Sequence, residues 1–233
     1  MWTSPGSAAV LLSLAACGNA ALDPGVGNAA GTGTATLTVV GEASASPREA
    51  NASTAADFDT DFKVKVSFNN NTVTTGIVTV TSSTGKVALT YDKDHDWSGT
   101  AAGYDEVYVL DVVHGDDRVE GVRVDGPDIH VFTQPTNNAS VDAAAPLLIM
   151  WQRAQPADAA TLRIESGRTT TIDDAGSYTL PAGTLKTERS QTRRHKLRLT
   201  RTNQVSPEGS APDSAWSVTI ENTIEVVTPP VPL

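Results

Sequence analysis

The chain has 233 residues, with 27 acids against 17 bases and a net charge of −10 at pH 7, a balance that argues against nucleic acid as a partner. Aromatic residues make up only 5%, while Thr, Val, Ala, Gly, Ser and Asp are abundant, which favours strands and turns over helices. With one cysteine there is no internal disulfide framework, so the folded parts must hold by packing.

The first feature in chain order is the apolar run "AAVLLSLAA" at 8–16, followed by Cys17. Nine residues are too few to span a bilayer, which takes about 20, but they match the apolar core of a secretory signal. Leu14, Ala15, Ala16 and Cys17 resemble the lipobox of bacterial lipoprotein signal peptides. That resemblance implies cleavage of residues 1–16, lipidation of Cys17 and a membrane anchor in the cell envelope. Because Gly18 rather than Asp follows the cysteine, it further implies the outer membrane, on its periplasmic or surface face. A plain cleaved secretion signal and a buried structural cysteine are the other readings of the same residues.

Residues 17–35 are small, Gly-rich and nearly uncharged, the composition of a flexible tether. From Thr36 the texture is that of strands. "FKVKVSF" alternates strictly at Phe62, Val64, Val66 and Phe68, and "IVTVTSSTGKVALTY" predicts a hairpin turning around Ser83 to Gly85. Turn signals recur every 8 to 12 residues or so, the spacing of an antiparallel sandwich.

The stretch 134–146, with a proline near each end, reads as a boundary. The expected organisation is an acidic β-sandwich over 36–135, a second β-sandwich over 141–228 and a loose tail at 229–233. Charge supports the division: 35–140 carry 16 acids and 7 bases, whereas 141–228 carry 10 of each. The predicted fold class is therefore all-β, two immunoglobulin-like antiparallel sandwiches after a signal peptide and tether. "DDAGSYTL" at 173–180 adds to this, because Asp174, Gly176 and Tyr178 are similar to the D-x-G-x-Y tyrosine corner of immunoglobulin-like and fibronectin-like sandwiches. The resemblance implies structural roles for Tyr178 and Trp151; an ordinary turn is the alternative.

Three constellations bear on chemistry. In "YDKDHDWSG", Asp92, Asp94 and Asp96 alternate as at the start of a calcium loop, and Asp105 or Glu106 could complete a site. Trp97 stands where an EF-hand needs glycine, and a solvated turn with Asp side chains bonded to their own backbone is the alternative. His95, His114, His130 and His195 are too widely spaced for a zinc site, so no metal is expected there. The basic run holds Lys186, Arg189, Arg193, Arg194, Lys196, Arg198 and Arg201, and a strand over 195–201 would turn Arg194, Lys196 and Arg198 outward in one row. Such a row suits docking to lipid phosphate or an acidic glycan, or keeps an edge strand soluble.

No nucleophile elbow, zinc-protease motif or phosphate loop is present in the sequence. The leading expectation is a membrane-anchored, non-catalytic binding or spacer module without a cofactor, its partner an envelope protein or glycan. The second is a carbohydrate-binding or adhesin-type surface protein using Trp97, Tyr104, Trp151 or Trp216, and the third an envelope hydrolase.

Overall fold

A computed structural model describes residues 22–92, 94, 96–165 and 169–230. Among these residues the chain is nearly all strand, without an α-helix and without any helix long and apolar enough to cross a membrane. The strands are β1 (Thr32–Gly33), β2 (Leu37–Pro47), β3 (Phe58–Phe68), β4 (Asn71–Thr72), β5 (Ile77–Ser82), β6 (Gly85–Ala88), β7 (Thr90–Tyr91), β8 (Trp97–Ala102), β9 (Val107–His114) and β10 (Asp117–Asp125). There follow β11 (Val131–Gln134), β12 (Ala139–Ser140), β13 (Leu147–Gln152), β14 (Ala159–Ile164), β15 (Thr169–Ile172), β16 (Ser177–Leu180), β17 (Arg193–Val205) and β18 (Ala215–Thr228).

One large sheet carries the molecule, with β15-β14-β17-β18-β2-β3-β8-β7 in order and β12 and β4 attached to β18 and β3. Two smaller sheets cover it: β1-β10-β9-β5-β6 over one end and β11-β13-β16 over the other. The reason lies in the parity of β18. Trp216, Val218, Ile220, Asn222, Ile224 and Val226 alternate along a strand of 14 residues paired with β17 without a break in register, so all face the same way. Trp216, Val218 and Ile220 enter a first core with Val39, Phe62, Val64, Leu110 and Val122, and Ile224 and Val226 enter a second with Ile149, Trp151, Leu162, Leu197 and Leu199.

This changes how the two halves divide. Residues 215–220, placed by sequence in the second unit, pack in the first core and pair in parallel with β2, and β11, placed in the first, belongs to the second small sheet. The proline-bounded stretch is only one crossing between the halves. A 14-residue strand reaches about 46 Å, enough to serve both cores, which a composition shift does not register.

The Gly-rich stretch also differs from a free tether. From Leu22 onward it lies against β10: Ala29 and Arg123 exchange backbone bonds of 3.0 and 2.8 Å, and Thr32 and Gly33 pair with Glu120 and Val119. Asp125 Oδ2 accepts the N–H groups of Gly25 and Gly27 at 2.9 and 2.8 Å. Glycine is needed here for closeness. A Cβ on Gly33 would run into the backbone oxygens of Gly209 and Arg118. The hairpin at Ser83 to Gly85 forms as predicted, with Ser82 opposite Gly85.

Candidate functional site

Where the two cores meet, the apolar rows of the large sheet are interrupted by polar side chains. Asn222, between Ile220 and Ile224, is fully buried; its Nδ2 donates to the carbonyls of Ala52 and His130 at 2.8 and 2.7 Å, and its Oδ1 accepts from Ala52 N–H at 3.1 Å. Opposite Ile220 stands Arg201, on the inward parity of β17 with Leu197 and Leu199. Its guanidinium donates to Asp174 Oδ2 at 2.9 Å, to Asp128 O at 2.7 Å and to Asp128 Oδ1 at 3.2 Å, and also to the Gln155 carbonyl.

Asp174 is the acceptor hub of this junction. Besides Arg201 it takes the Trp151 indole N–H at 2.9 Å and the Ala157 N–H at 2.7 Å. Burial alone would raise its carboxyl, but the Ala157 N–H, the Arg201 charge and the Trp151 N–H hold it below the usual carboxylate range. Thus the D-x-G-x-Y segment acts mainly through its Asp: Tyr178 is half-buried against the second core, opposite Ile149, and its hydroxyl has no hydrogen bond among the described residues. His130 lies beside them with Nε2 donating to the Leu199 carbonyl at 3.2 Å and Nδ1 unpartnered. Burial and the Arg201 charge push its pKa down to about 3. Its ring is therefore neutral at pH 7 and locked in the core, a poor arrangement for proton transfer with a substrate.

The Asp loop is an Asx turn. Asp92 Oδ1 accepts the N–H groups of Asp94 and Asp96 at 2.8 and 3.3 Å, and Asp96 Oδ1 lies 3.8 Å from Lys65 Nζ. Asp105 is engaged elsewhere, accepting from the hydroxyls of Ser83 and Thr84 at 2.5 and 2.6 Å. No cluster of His, Cys, Asp and Glu able to hold a metal occurs among the described residues. Of the histidines, His195 is buried and bonded to the Lys186 carbonyl, His114 bonds the Thr75 carbonyl, and His95 lies outside the described residues, as does Cys17.

Arg194, Lys196 and Arg198 do turn outward from β17, in a row. Acids on β18 meet them. Arg194 pairs with Glu225 at 3.1 Å and Arg198 with Glu221 at 3.1 Å, while Lys196 stands opposite Glu225 in the ladder. A shallow cleft of about 250 Å³ lined by Arg163, Glu165, Lys196 and Arg198 is what the row leaves open.

The aromatic side chains named as sugar platforms are all in the cores. Trp97, Tyr104 and Trp151 keep 6%, 3% and 4% of their surface and Trp216 none. Trp97 and Tyr104 are further fixed by bonds to the carbonyls of Val73 and Pro127 at 3.0 and 2.6 Å. No aromatic side chain is exposed among the described residues.

No family model matches the chain, and no curated protein matches it. Among solved structures, one similar chain is from a 1.5-MDa bacterial ice-binding adhesin studied for host cell surface retention, at 15% identity and a TM-score of 0.24. Another is from a Ca2+-stabilized adhesin of an Antarctic bacterium that binds ice, at 18% identity and a TM-score of 0.26. The alignments cover 82% and 83% of this chain, and 66% and 49% of those chains. TM-scores this far below 0.5 do not amount to a shared fold.

Proposed function

We propose that the chain is a non-catalytic β-rod of the bacterial cell envelope, anchored through lipid on Cys17 and acting as a spacer or adhesin-type extender. The observation that carries this reading is the pairing of β17 with β18 over 13 residues, from Arg193↔Thr228 to Val205↔Trp216. It runs through both cores and makes one stiff element of them. At the junction, Arg201, Asp128, Asp174 and Asn222 spend their polar atoms on holding the halves in line, which is what a strut requires.

The test is expression of the full-length protein in a bacterial host, with and without Cys17→Ala, followed by fractionation and intact mass. The expected result is an acylated chain in the membrane fraction that becomes unacylated and soluble in the variant. An unmodified chain in the medium would overturn the anchor. Turnover on a broad hydrolase panel that a single Asp→Asn change abolished would overturn the non-catalytic half.

A further inference from the structure

The order of the strands sets how the molecule meets tension between its two ends. β2 and β18 run in parallel, from Val40↔Ala215 to Ala45↔Ile220. β2 is entered at Leu37, at the end of the large sheet where Gly33 and Gly209 meet, and β18 leaves at Thr228, at the opposite end. A pull on the chain before Leu37 and after Thr228 therefore slides β2 and β18 past each other along their length. Ladder bonds loaded across their direction in this way must yield together, whereas strands drawn apart from one end yield one pair at a time.

β18 is held against this slide on both sides. β17 flanks it along its length, and Trp216, Val218 and Ile220 key it into one core while Ile224 and Val226 key it into the other. Side chains reinforce the parallel seam: Ser214 Oγ accepts the Val39 N–H at 3.0 Å, and Ser217 Oγ donates to the Gly41 carbonyl at 3.3 Å.

The segment before β2 meets the same pull differently. It runs from Asp125, whose carbonyl accepts from Asn203 Nδ2 at 2.8 Å, back to the end where Gly33 sits, antiparallel to β10. Tension on its start folds it back on itself and opens its bonds in sequence, Gly25 and Gly27 from Asp125, then Ala29 from Arg123, then Thr32 and Gly33 from Glu120 and Val119.

We propose that the chain is a two-stage load-bearing device: residues 22–35 peel away first as a strap, and the β2–β18 seam then holds as a clamp. The load path follows from the strand order alone; only its use in the envelope rests on the spacer reading, so the pulling test and the fractionation test fail independently.

The experiment is single-molecule pulling on the full-length, non-lipidated protein in two geometries. In the first, handles sit on Cys17 and on Pro230→Cys. In the second, Cys17→Ala carries handles on Thr192→Cys and Pro230→Cys, which draw β17 and β18 apart from their open end. The expected result in the first geometry is an early, weak step releasing roughly 50 Å of chain for residues 22–35, then a rupture at severalfold higher force than in the second geometry at the same loading rate. Equal rupture forces in the two geometries would overturn the clamp. Release of residues 22–35 only together with the main rupture would overturn the strap.

Discussion

Arg201 Nε donates to Asp174 Oδ2 at 2.9 Å with side-chain exposures of 0% and 2%, a charge pair withdrawn from water at the junction of two cores. Its value to the fold is asymmetric, since removing one partner leaves the other buried charge with weaker company only, Asp128 Oδ1 at 3.2 Å for Arg201 and Arg153 at 3.6 Å for Asp174. Arg201→Met or Asp174→Asn should each destabilise by about 3–5 kcal/mol, and the double variant by clearly less than their sum. Urea unfolding of the four proteins measures this. Additive losses would mean that the two side chains act separately.

His130 makes stability depend on pH. Its folded pKa, held at about 3 by burial and by Arg201, lies below the ordinary value of about 6.5 that it regains on unfolding. The unfolded chain thus binds the proton first. The contribution is fully present above about pH 6.5 and is lost as pH falls toward 3, by about 2 kcal/mol between pH 7 and pH 5. His195, also lowered by burial, adds loss of the same sign. His130→Gln should be less stable than the parent at pH 7 and show a flatter decline from 7 to 5; parallel declines would remove His130 from the account.

The strands were legible because alternation is a local signal: Phe62, Val64 and Val66 turn inward as their spacing predicts, and so do Leu197 and Leu199. The outward row of Arg194, Lys196 and Arg198 was legible for the same reason, but Glu221 and Glu225, which face it, come from another strand whose partner is set only by the fold. The junction left one readable trace. Arg201 and Asn222 fall on the inward parity of their strands, where a polar residue needs a buried partner. Trp216 illustrates the opposite difficulty, since a tryptophan reads equally as surface platform or core filler until its sheet is known.

Gly33 should control the strap without controlling the cores. Gly33→Val puts a side chain against the backbone oxygens of Gly209 and Arg118, which cannot move aside as a flexible side chain would. Hydrogen exchange at 25–34 should accelerate several-fold, while exchange of β2, β17 and β18 stays unchanged. Protection retained at 25–34 would show that β1 is not what holds the segment down.

The Asp loop should be indifferent to calcium. A calcium site needs several free oxygens converging on one point, commonly six to eight. Here Asp92 Oδ1 is committed to the N–H groups of Asp94 and Asp96, and the Lys65 ammonium already stands 3.8 Å from Asp96 Oδ1. Burial acts to raise the Asp92 carboxyl, yet the Ser98 hydroxyl, the two N–H groups and the Lys63 charge hold it below its ordinary value, so Asp92 is satisfied within the turn. The buried Asp96 Oδ1, by contrast, accepts no hydrogen bond among the described residues and has only the Lys65 charge nearby. Millimolar calcium should therefore give no binding heat, and neither calcium nor a chelator should move the melting temperature. A rise of several degrees with calcium, lost in Asp94→Asn, would mean that the loop rearranges to release Asp92 and that the cation belongs to the folded protein.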